Sequence, residues 1–182
     1  MHRKVEGGFR KLLCCIVLFA SLTPMLRGAV SESDVKAAFL FNSAKFVDWP
    51  VEVFTNDIAP IQIGVFGDDE FAAKLRSLLT EKKAHGRSFE VKRILAPAEA
   101  KNVQMIFVAN SEMKRLPQVL DVIRKLPILT IGESDQFLDA GGMINILFED
   151  TQLRFEVNTE AADKANLVIS SKFLRLAKRI KK

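Results

Sequence analysis

Asp68 and Asp69 are the side chains whose position is most suggestive of chemistry in this 182-residue chain. They directly follow a predicted strand over residues 61–66, and paired carboxylates at the end of a parallel strand could hold Mg²⁺, as in phospho-receiver domains. A receiver also needs an aspartate after its central strand, where this chain has Asn110, which cannot accept a phosphoryl group. Because aspartate at a helix start satisfies free backbone N–H groups, we interpret the pair as a helix cap. A degenerate receiver-like domain remains an alternative.

Other catalytic arrangements lack their essential residues. His85 is the one histidine after residue 31, and no G-x-S-x-G turn supplies a serine nucleophile for it. Zinc needs three or four His, Cys or carboxylate ligands, and no glycine-rich phosphate-binding loop is present. We interpret His85 as a solvated loop residue. The sequence therefore predicts no catalytic residue, no metal site and no cofactor, and we expect a protein that is not an enzyme.

The basic character of the chain is concentrated at its start. The formal net charge is +5, but the first 31 residues contain five basic residues and one acidic residue. The remaining chain is therefore close to neutral, at +1. Nothing in that balance calls for nucleic acid as a partner.

The first 31 residues have the pattern of a secretory signal peptide. A positive stretch over residues 2–11 precedes an apolar run over residues 12–22, and Ala29-Val30-Ser31 provides a small-x-small cleavage site. We expect cleavage after Ser31, which leaves one domain over residues 32–182. An uncleaved signal anchor is the alternative, although the apolar run is shorter than the ~20 residues of a comfortable span. Cys14 and Cys15 both lie in this leader, so the mature chain has no disulfide.

The periodicity of the remaining chain predicts an α/β fold. Strands and helices alternate up to residue 131, which is typical of a mainly parallel sheet with helices on both faces. Two alternating runs then predict a C-terminal antiparallel hairpin, so that the whole forms a three-layer sandwich. The predicted strands cover residues 61–66, 88–95, 103–109, 128–131, 143–150 and 152–158, and the predicted helices cover residues 35–48, 70–83, 112–125, 159–165 and 170–180.

The first predicted helix and the segment after it carry the candidate partner-binding residues. A helix that is apolar on two sides is either deeply buried or covered by a partner. Large aromatic residues with charged neighbours are typical interface anchors. The candidates are Phe41, Lys45, Asp48, Trp49 and Phe54. Ordinary core packing of Phe41 and Trp49 is the alternative interpretation.

A second candidate site is polar. Arg154 and Glu156 are two residues apart and share one face of the hairpin, close to Gly141 and Gly142. Arg87 could join them if the sheet order allowed it. Such a cluster could grip a carboxylate ligand or a partner loop, which would suit a periplasmic small-molecule binding protein. A solvated outer face of the hairpin is the alternative.

Five stretches together resemble the YfiR family of exported bacterial proteins. They are VKAAFLFNSAKFVDWP (residues 35–50), IQIGVFGDDEF (61–71), Gly86-Arg87, GGMINILFEDTQLRFEVN (141–158) and LVISSKFLRLAK (167–178). The resemblance implies a non-catalytic periplasmic regulator that binds and restrains the periplasmic sensor domain of an inner-membrane diguanylate cyclase, or of a sensor kinase. It also implies a homodimer, and an outer-membrane lipoprotein that sequesters the regulator.

The chain departs from this family at two places. Where relatives often read Cys-His-Ile-Leu-Phe-Ile, this chain has Val103 to Val108 without cysteine. Control by disulfides, which some relatives use, therefore cannot operate in the mature chain. The first helix also has Asn42-Ser43 in place of an Asn-Phe step, and Phe41 in place of a usual Tyr, which changes its exposed surface.

Overall fold

The computed structural model describes residues 31–150 and 152–182. The predicted signal peptide lies outside the described residues, apart from Ser31. The helices and strands, in chain order, are α1 (Glu32–Lys45), β1 (Val47–Asp48), β2 (Ile61–Phe66), α2 (Asp69–Leu79), β3 (Phe89–Ile94), β4 (Met105–Val108), α3 (Leu116–Ile123), β5 (Leu129–Gly132), β6 (Ile144–Glu149), β7 (Gln152–Asn158), α4 (Thr159–Lys164), β8 (Val168–Ile169), α5 (Ser171–Leu174) and β9 (Arg179–Lys181).

One seven-stranded sheet organises the domain, in the order β3-β2-β4-β5-β6-β7-β9. Its first five strands are parallel, β7 pairs with β6 in antiparallel register, and β9 is parallel to β7. The predicted mainly parallel sheet with a C-terminal hairpin is confirmed. A separate two-stranded ribbon forms where β1 pairs with β8.

The two faces of the sheet bury different helices. All four residues of β4 are buried, and they alternate between the faces. Phe107 packs with Leu40 of α1 and Leu75 of α2, whereas Ile106 packs with Leu116 of α3 on the opposite face. This arrangement confirms the three-layer sandwich, and it explains why β4 is almost continuously apolar.

The first helix begins and ends earlier than the sequence predicted. Ser31 is its N-cap: the Ser31 hydroxyl accepts a hydrogen bond from the backbone N–H of Asp34, and the Asp34 carboxylate accepts one from the backbone N–H of Ser31. Hydrogen bonds from Lys74 and Ser31 lower the pKa of Asp34 from 3.8 to about 2. Cleavage after Ser31 would separate this cap from α1. The helix ends at Lys45 because Val47 and Asp48 pair with β8.

The predicted last helix is wrong beyond Leu174. Only Ser171–Leu174 is helical, and the chain then turns so that Arg179–Lys181 joins the sheet beside β7. The Lys178 backbone N–H donates to the Phe155 carbonyl at 2.8 Å, which starts this pairing. The sheet offers these backbone groups partners, and that gain overrides the helical spacing of Leu176 and Ile180, which are both left exposed.

The Gly141-Gly142 pair serves packing between the β5–β6 loop and the sheet. Phe137 is fully buried, and its ring lies against the backbone of Gly132 and Gly142. A Cβ on Gly142 would lie 2.2 Å from the ring. Gly141 adopts a φ of 104°, which favours glycine. Both glycines therefore have structural reasons to be there.

Among the described residues, no helix has the length and apolar character needed to cross a membrane.

We expect Gly142→Ala to destabilise the protein by about 1–3 kcal/mol, because the added methyl group overlaps the Phe137 ring. Phe137→Leu should also be destabilising on its own, since it leaves a cavity. In the double variant the smaller side chain makes room for the methyl group, so the loss should be less than the sum of the single losses. Urea denaturation measures all three. Strictly additive losses would contradict this packing.

Candidate functional site

A hollow of about 200 Å³ lies at the N-terminal ends of β2 and β3. Its lining includes three of the predicted partner-binding residues and also Arg87: the wall consists of Asp48, Trp49, Val51, Phe54, Ile61, His85 and Arg87. Residues from both candidate sites predicted from the sequence therefore line this one hollow. The segment over residues 50–60 forms one wall, and the turn before β3 forms the other.

Arg87 holds the 50–60 segment in position. Its Nη1 donates hydrogen bonds to the carbonyl oxygens of Asn56 at 2.8 Å and Ala59 at 2.9 Å. Its guanidinium lies 3.8 Å from the centre of the Phe54 ring. The residue is only 8% exposed, and it forms no ion pair with any carboxylate in the described chain. Carbonyl dipoles and the face of the ring therefore stabilise this buried charge.

A tight turn places Arg87 there. Ala84 and Arg87 exchange two backbone hydrogen bonds, of 3.0 and 2.9 Å, across His85 and Gly86. Both central residues have positive φ, at 52° and 77°, as a two-residue hairpin loop requires. Glycine is therefore needed beside Arg87, which gives the Gly86-Arg87 pair of the sequence a structural reason.

Gln104 is a site residue that the sequence interpretation missed. Trp49 Nε1 donates to the Gln104 backbone carbonyl at 3.1 Å. The Gln104 side chain donates to the Val53 carbonyl at 3.3 Å and accepts from the Gln62 N–H at 2.9 Å. The side-chain amide of Gln104 thus joins the 50–60 segment to β2, and its backbone carbonyl holds Trp49 beside them. The sequence feature that could have identified Gln104 is that it is a single polar residue within the apolar run over residues 103–109.

Phe41 and Lys45 lie outside the hollow. Phe41 is half-buried and meets Phe89 edge to face, with 5.8 Å between ring centres. Lys45 is exposed, with its Nζ 5.2 Å from the centre of the Phe41 ring. Phe41, Trp49 and Phe54 all pack partly against the main core. The aromatic candidates therefore contribute to the core as well as to the surface.

His85 is more constrained than a solvated loop residue. Its Nε2 lies 3.0 Å from the carbonyl of Ala44 in the last turn of α1, and therefore donates to it. Its Nδ1 lies 4.0 Å from the Asp48 carboxylate. This contact ties the Arg87 turn to the end of α1. Its role here is to hold two segments together, and no serine or cysteine lines the hollow.

The predicted polar cluster does not assemble around Arg87. Arg87 precedes β3 at one edge of the sheet, whereas Arg154 and Glu156 lie on β7, five strands away in the sheet order. The sheet order therefore does not allow the predicted association. Arg154 is exposed and donates to Gln152 at 2.9 Å. Gly141 borders a different hollow, of about 350 Å³, between α3 and α4.

Glu156 is paired with a residue that the sequence interpretation did not include. Arg179 of β9 donates two hydrogen bonds to its carboxylate, both at 2.8 Å. This bidentate contact lowers the pKa of the buried carboxyl group, against the opposing effect of burial. The pair fastens β9 to β7, so Glu156 has a structural role in this fold.

The interpretation of Asp68 as a helix cap is confirmed. Its Oδ1 accepts a hydrogen bond from the Phe71 backbone N–H at 2.9 Å, and Asp69 pairs with Arg93 on β3. In the part of the chain that the structure describes, no group of three or more His, Cys, Asp or Glu side chains is arranged to hold a metal ion.

The Glu156–Arg179 pair predicts a particular pH dependence of stability. Because the pKa of Glu156 is lower in the folded than in the unfolded protein, its stabilisation is present above about pH 4.3, the ordinary value for glutamate, and is lost as the pH falls through the folded pKa. Between pH 6 and pH 3, the free energy of unfolding should fall more steeply in the wild type than in Glu156→Gln. Glu81→Gln, at an exposed position, is the control. Parallel curves for wild type and Glu156→Gln would contradict this assignment.

Comparison with known proteins gives one family. A family model described as DUF4154, YfiR/HmsC-like, matches residues 33–178. The matched range contains β1 to β8, α2 to α5 and all of α1 except Glu32, and with them the whole hollow. A search of curated proteins gives no match to this chain.

Two solved structures are similar to this chain at low sequence identity. The crystal structure of the ABC domain in complex with L-Trp from Streptococcus pneumonia is 11% identical, with a TM-score of 0.52, covering 77% of this chain and 59% of that one. A conserved domain protein from Vibrio cholerae O1 biovar El Tor is 15% identical, with a TM-score of 0.49, covering 66% and 55%. The chain spans less than two thirds of either protein, and the first likeness shows the α/β fold alone.

Proposed function

The chain belongs to the YfiR/HmsC-like family, and on that premise we propose that it binds and restrains the periplasmic sensor domain of an inner-membrane diguanylate cyclase. The family supports the coarser role, that of a periplasmic regulator of cyclic-di-GMP signalling. It is a regulatory and non-catalytic family, which agrees with the lack of a catalytic set in the sequence. We call the regulated membrane enzyme the client. A sensor kinase is the second class of client that the resemblance allows.

The location of the proposed binding surface rests on one observation. The 50–60 segment is fixed by Arg87 and Gln104, yet it leaves Val51 64% exposed beside the hollow, with Ile58 also exposed. An aliphatic side chain on a loop that is already held in one conformation can be buried by a partner with little ordering cost. Asp48 and His85 give the hollow a polar rim. We therefore place the contact with the client here.

The energy that regulation needs is small. Binding restrains an enzyme when it stabilises one conformation of the enzyme over another. A tenfold preference corresponds to ~1.4 kcal/mol, and complete burial of one aliphatic side chain contributes about 1.5–3 kcal/mol. Val51 and the aromatic wall behind it are sufficient for this purpose, without any reactive group.

The proposed function also needs a way to release the bound enzyme. No cysteine occurs after residue 31, so the mature chain has no disulfide that could change this loop. We propose that release comes from a competing protein, an outer-membrane lipoprotein that occupies the same surface. The regulator acts as a homodimer in this proposal. The small-molecule alternative relied on Arg87 with Arg154 and Glu156, which the sheet order separates.

We expect Val51→Asp to weaken client binding at least tenfold, because a desolvated carboxylate would replace the aliphatic contact. Leu95→Asp is the matched control, since Leu95 is 65% exposed on the far side of β3 and borders no part of this hollow. Binding is measured by biolayer interferometry against the purified periplasmic domains of the cell's own diguanylate cyclases.

In cells, deletion of the protein and Val51→Asp should both raise cyclic-di-GMP, whereas Leu95→Asp should not. The proposed function would be contradicted if the wild-type protein bound none of these domains and its deletion left cyclic-di-GMP unchanged. Equal effects of the two substitutions would contradict the location of the surface.

A further inference from the structure

A second apolar hollow adjoins the proposed surface across the β1–β8 ribbon. In this ribbon Asp48 is the register partner of Val168, and both are exposed, whereas Val47 is buried. Asp48 borders the first hollow, and Val168 borders another of about 370 Å³, together with Leu174 and Ile180. The two hollows therefore lie on either side of one narrow ribbon.

The second hollow lies beside an open sheet edge. β9 is the last strand in the sheet order, and it has a neighbour on one side only within the described chain. Ile180 on β9 is 42% exposed, and Leu176 just before it is also exposed. Backbone groups along such an edge can pair with an added strand, and the apolar hollow can receive its side chains.

The opposite edge of the same sheet is built differently. β3 presents exposed charges of both signs, with Glu90 next to Lys92 and Arg93, and its Val91 and Ile94 are buried. That pattern discourages the pairing of another strand. β9 keeps an exposed aliphatic residue in its centre, so the two edges are not equivalent.

The charge around β9 indicates which kind of segment can bind at this edge. Residues 172–182 contain six basic residues and no acidic one. Three of these pair with carboxylates elsewhere: Lys178 with Glu149, Arg179 with Glu156 and Lys181 with Asp139. In the described chain Lys172, Arg175 and Lys182 have no such pair. One carboxylate, that of Asp163, also lines the hollow, so the three cations leave the surroundings of β9 net positive. A second copy would bring the same charges to this edge, so an acidic occupant is favoured.

The shape of the surface favours a protein segment over a lipid surface. The aliphatic side chains of Leu174 and Ile180 line a concavity, together with Val168. Insertion into a bilayer needs apolar groups that project from the surface. A hollow of side-chain dimensions beside a strand edge instead suits an extended chain with alternating side chains.

We propose that the β9 edge and its hollow bind an extended, acidic segment of the regulated enzyme's periplasmic domain, with aliphatic side chains at alternate positions. The inference rests on the proposed function and adds a strand-addition contact to the Val51 surface. The client then spans the β1–β8 ribbon and touches both hollows at once.

Photocrosslinking in the native cell tests this. Benzoylphenylalanine replaces Ile180 in one variant and Val51 in a second. It replaces Val122 in the control, since Val122 is 38% exposed on α3, away from both hollows. Adducts are digested and sequenced by mass spectrometry. We expect positions 180 and 51 to capture the same membrane signalling protein, and the peptide joined to position 180 to carry acidic and aliphatic residues. Position 122 should capture neither.

Each other outcome decides between the two proposals. A signalling-protein adduct at position 51 with none at 180 overturns this inference and leaves the proposed function standing. Adducts at neither position overturn both. An adduct at position 180 to a second copy of this chain, or to phospholipid, overturns the acidic-segment assignment.

Charge reversal gives a second measurement on the same adduct. Arg175→Glu with Lys182→Glu should lower the yield at position 180 severalfold, because the unpaired charges that attract the segment are inverted. Lys82→Glu with Lys125→Glu is the control, at exposed positions outside the hollow. An unchanged yield in Arg175→Glu with Lys182→Glu would overturn the role of charge at this edge.

Discussion

The buried guanidinium of Arg87 is the contact on which the candidate surface depends. A charge that is 8% exposed is costly unless its surroundings stabilise it. Two carbonyl oxygens of the 50–60 segment and the Phe54 ring supply that stabilisation, so this segment must stay against β3 for the charge to remain buried. A stretch with little regular structure thereby acquires a fixed shape. The hollow and the exposure of Val51 both follow from it, while Trp49 is held by the Gln104 carbonyl.

The fold provides two platforms for this surface. The parallel sheet places Ile61 and Gln104 at the starts of adjacent strands, where Ile61 lines the hollow and the Gln104 carbonyl accepts the hydrogen bond of Trp49. The β1–β8 ribbon then joins the end of α1 to the C-terminal part of the chain. Residues far apart in sequence, such as Asp48 and Val168, become neighbours in this way. The proposed regulation by binding makes use of such a continuous surface, because it depends on binding preferences.

Much of the architecture could be predicted from the sequence, for identifiable reasons. Buried parallel strands such as β4 are apolar on both faces, and the hairpin of β6 and β7 alternates regularly, so local pattern determines both. The C-terminal segment could not be predicted in this way. Its spacing of Phe173, Leu174 and Ala177 suits a helix, but the partner for Arg179 is Glu156, and only the folded sheet brings that carboxylate within reach.

Part of the candidate site could be predicted from the sequence, and the rest could not, because only the folded chain brings distant residues together. Asp48, Trp49 and Phe54 are close in sequence, so they were expected to act together. Arg87 reaches the same hollow from the turn before β3, and Gln104 contacts Trp49 from the start of another strand. The role of Arg87 can be measured by hydrogen–deuterium exchange of the 51–60 amides in Arg87→Met. We expect faster exchange at Val53, Phe54, Ile58 and Ala59, with the β2 and β4 amides still protected. Unchanged exchange across the 50–60 segment would show that Arg87 does not hold this surface.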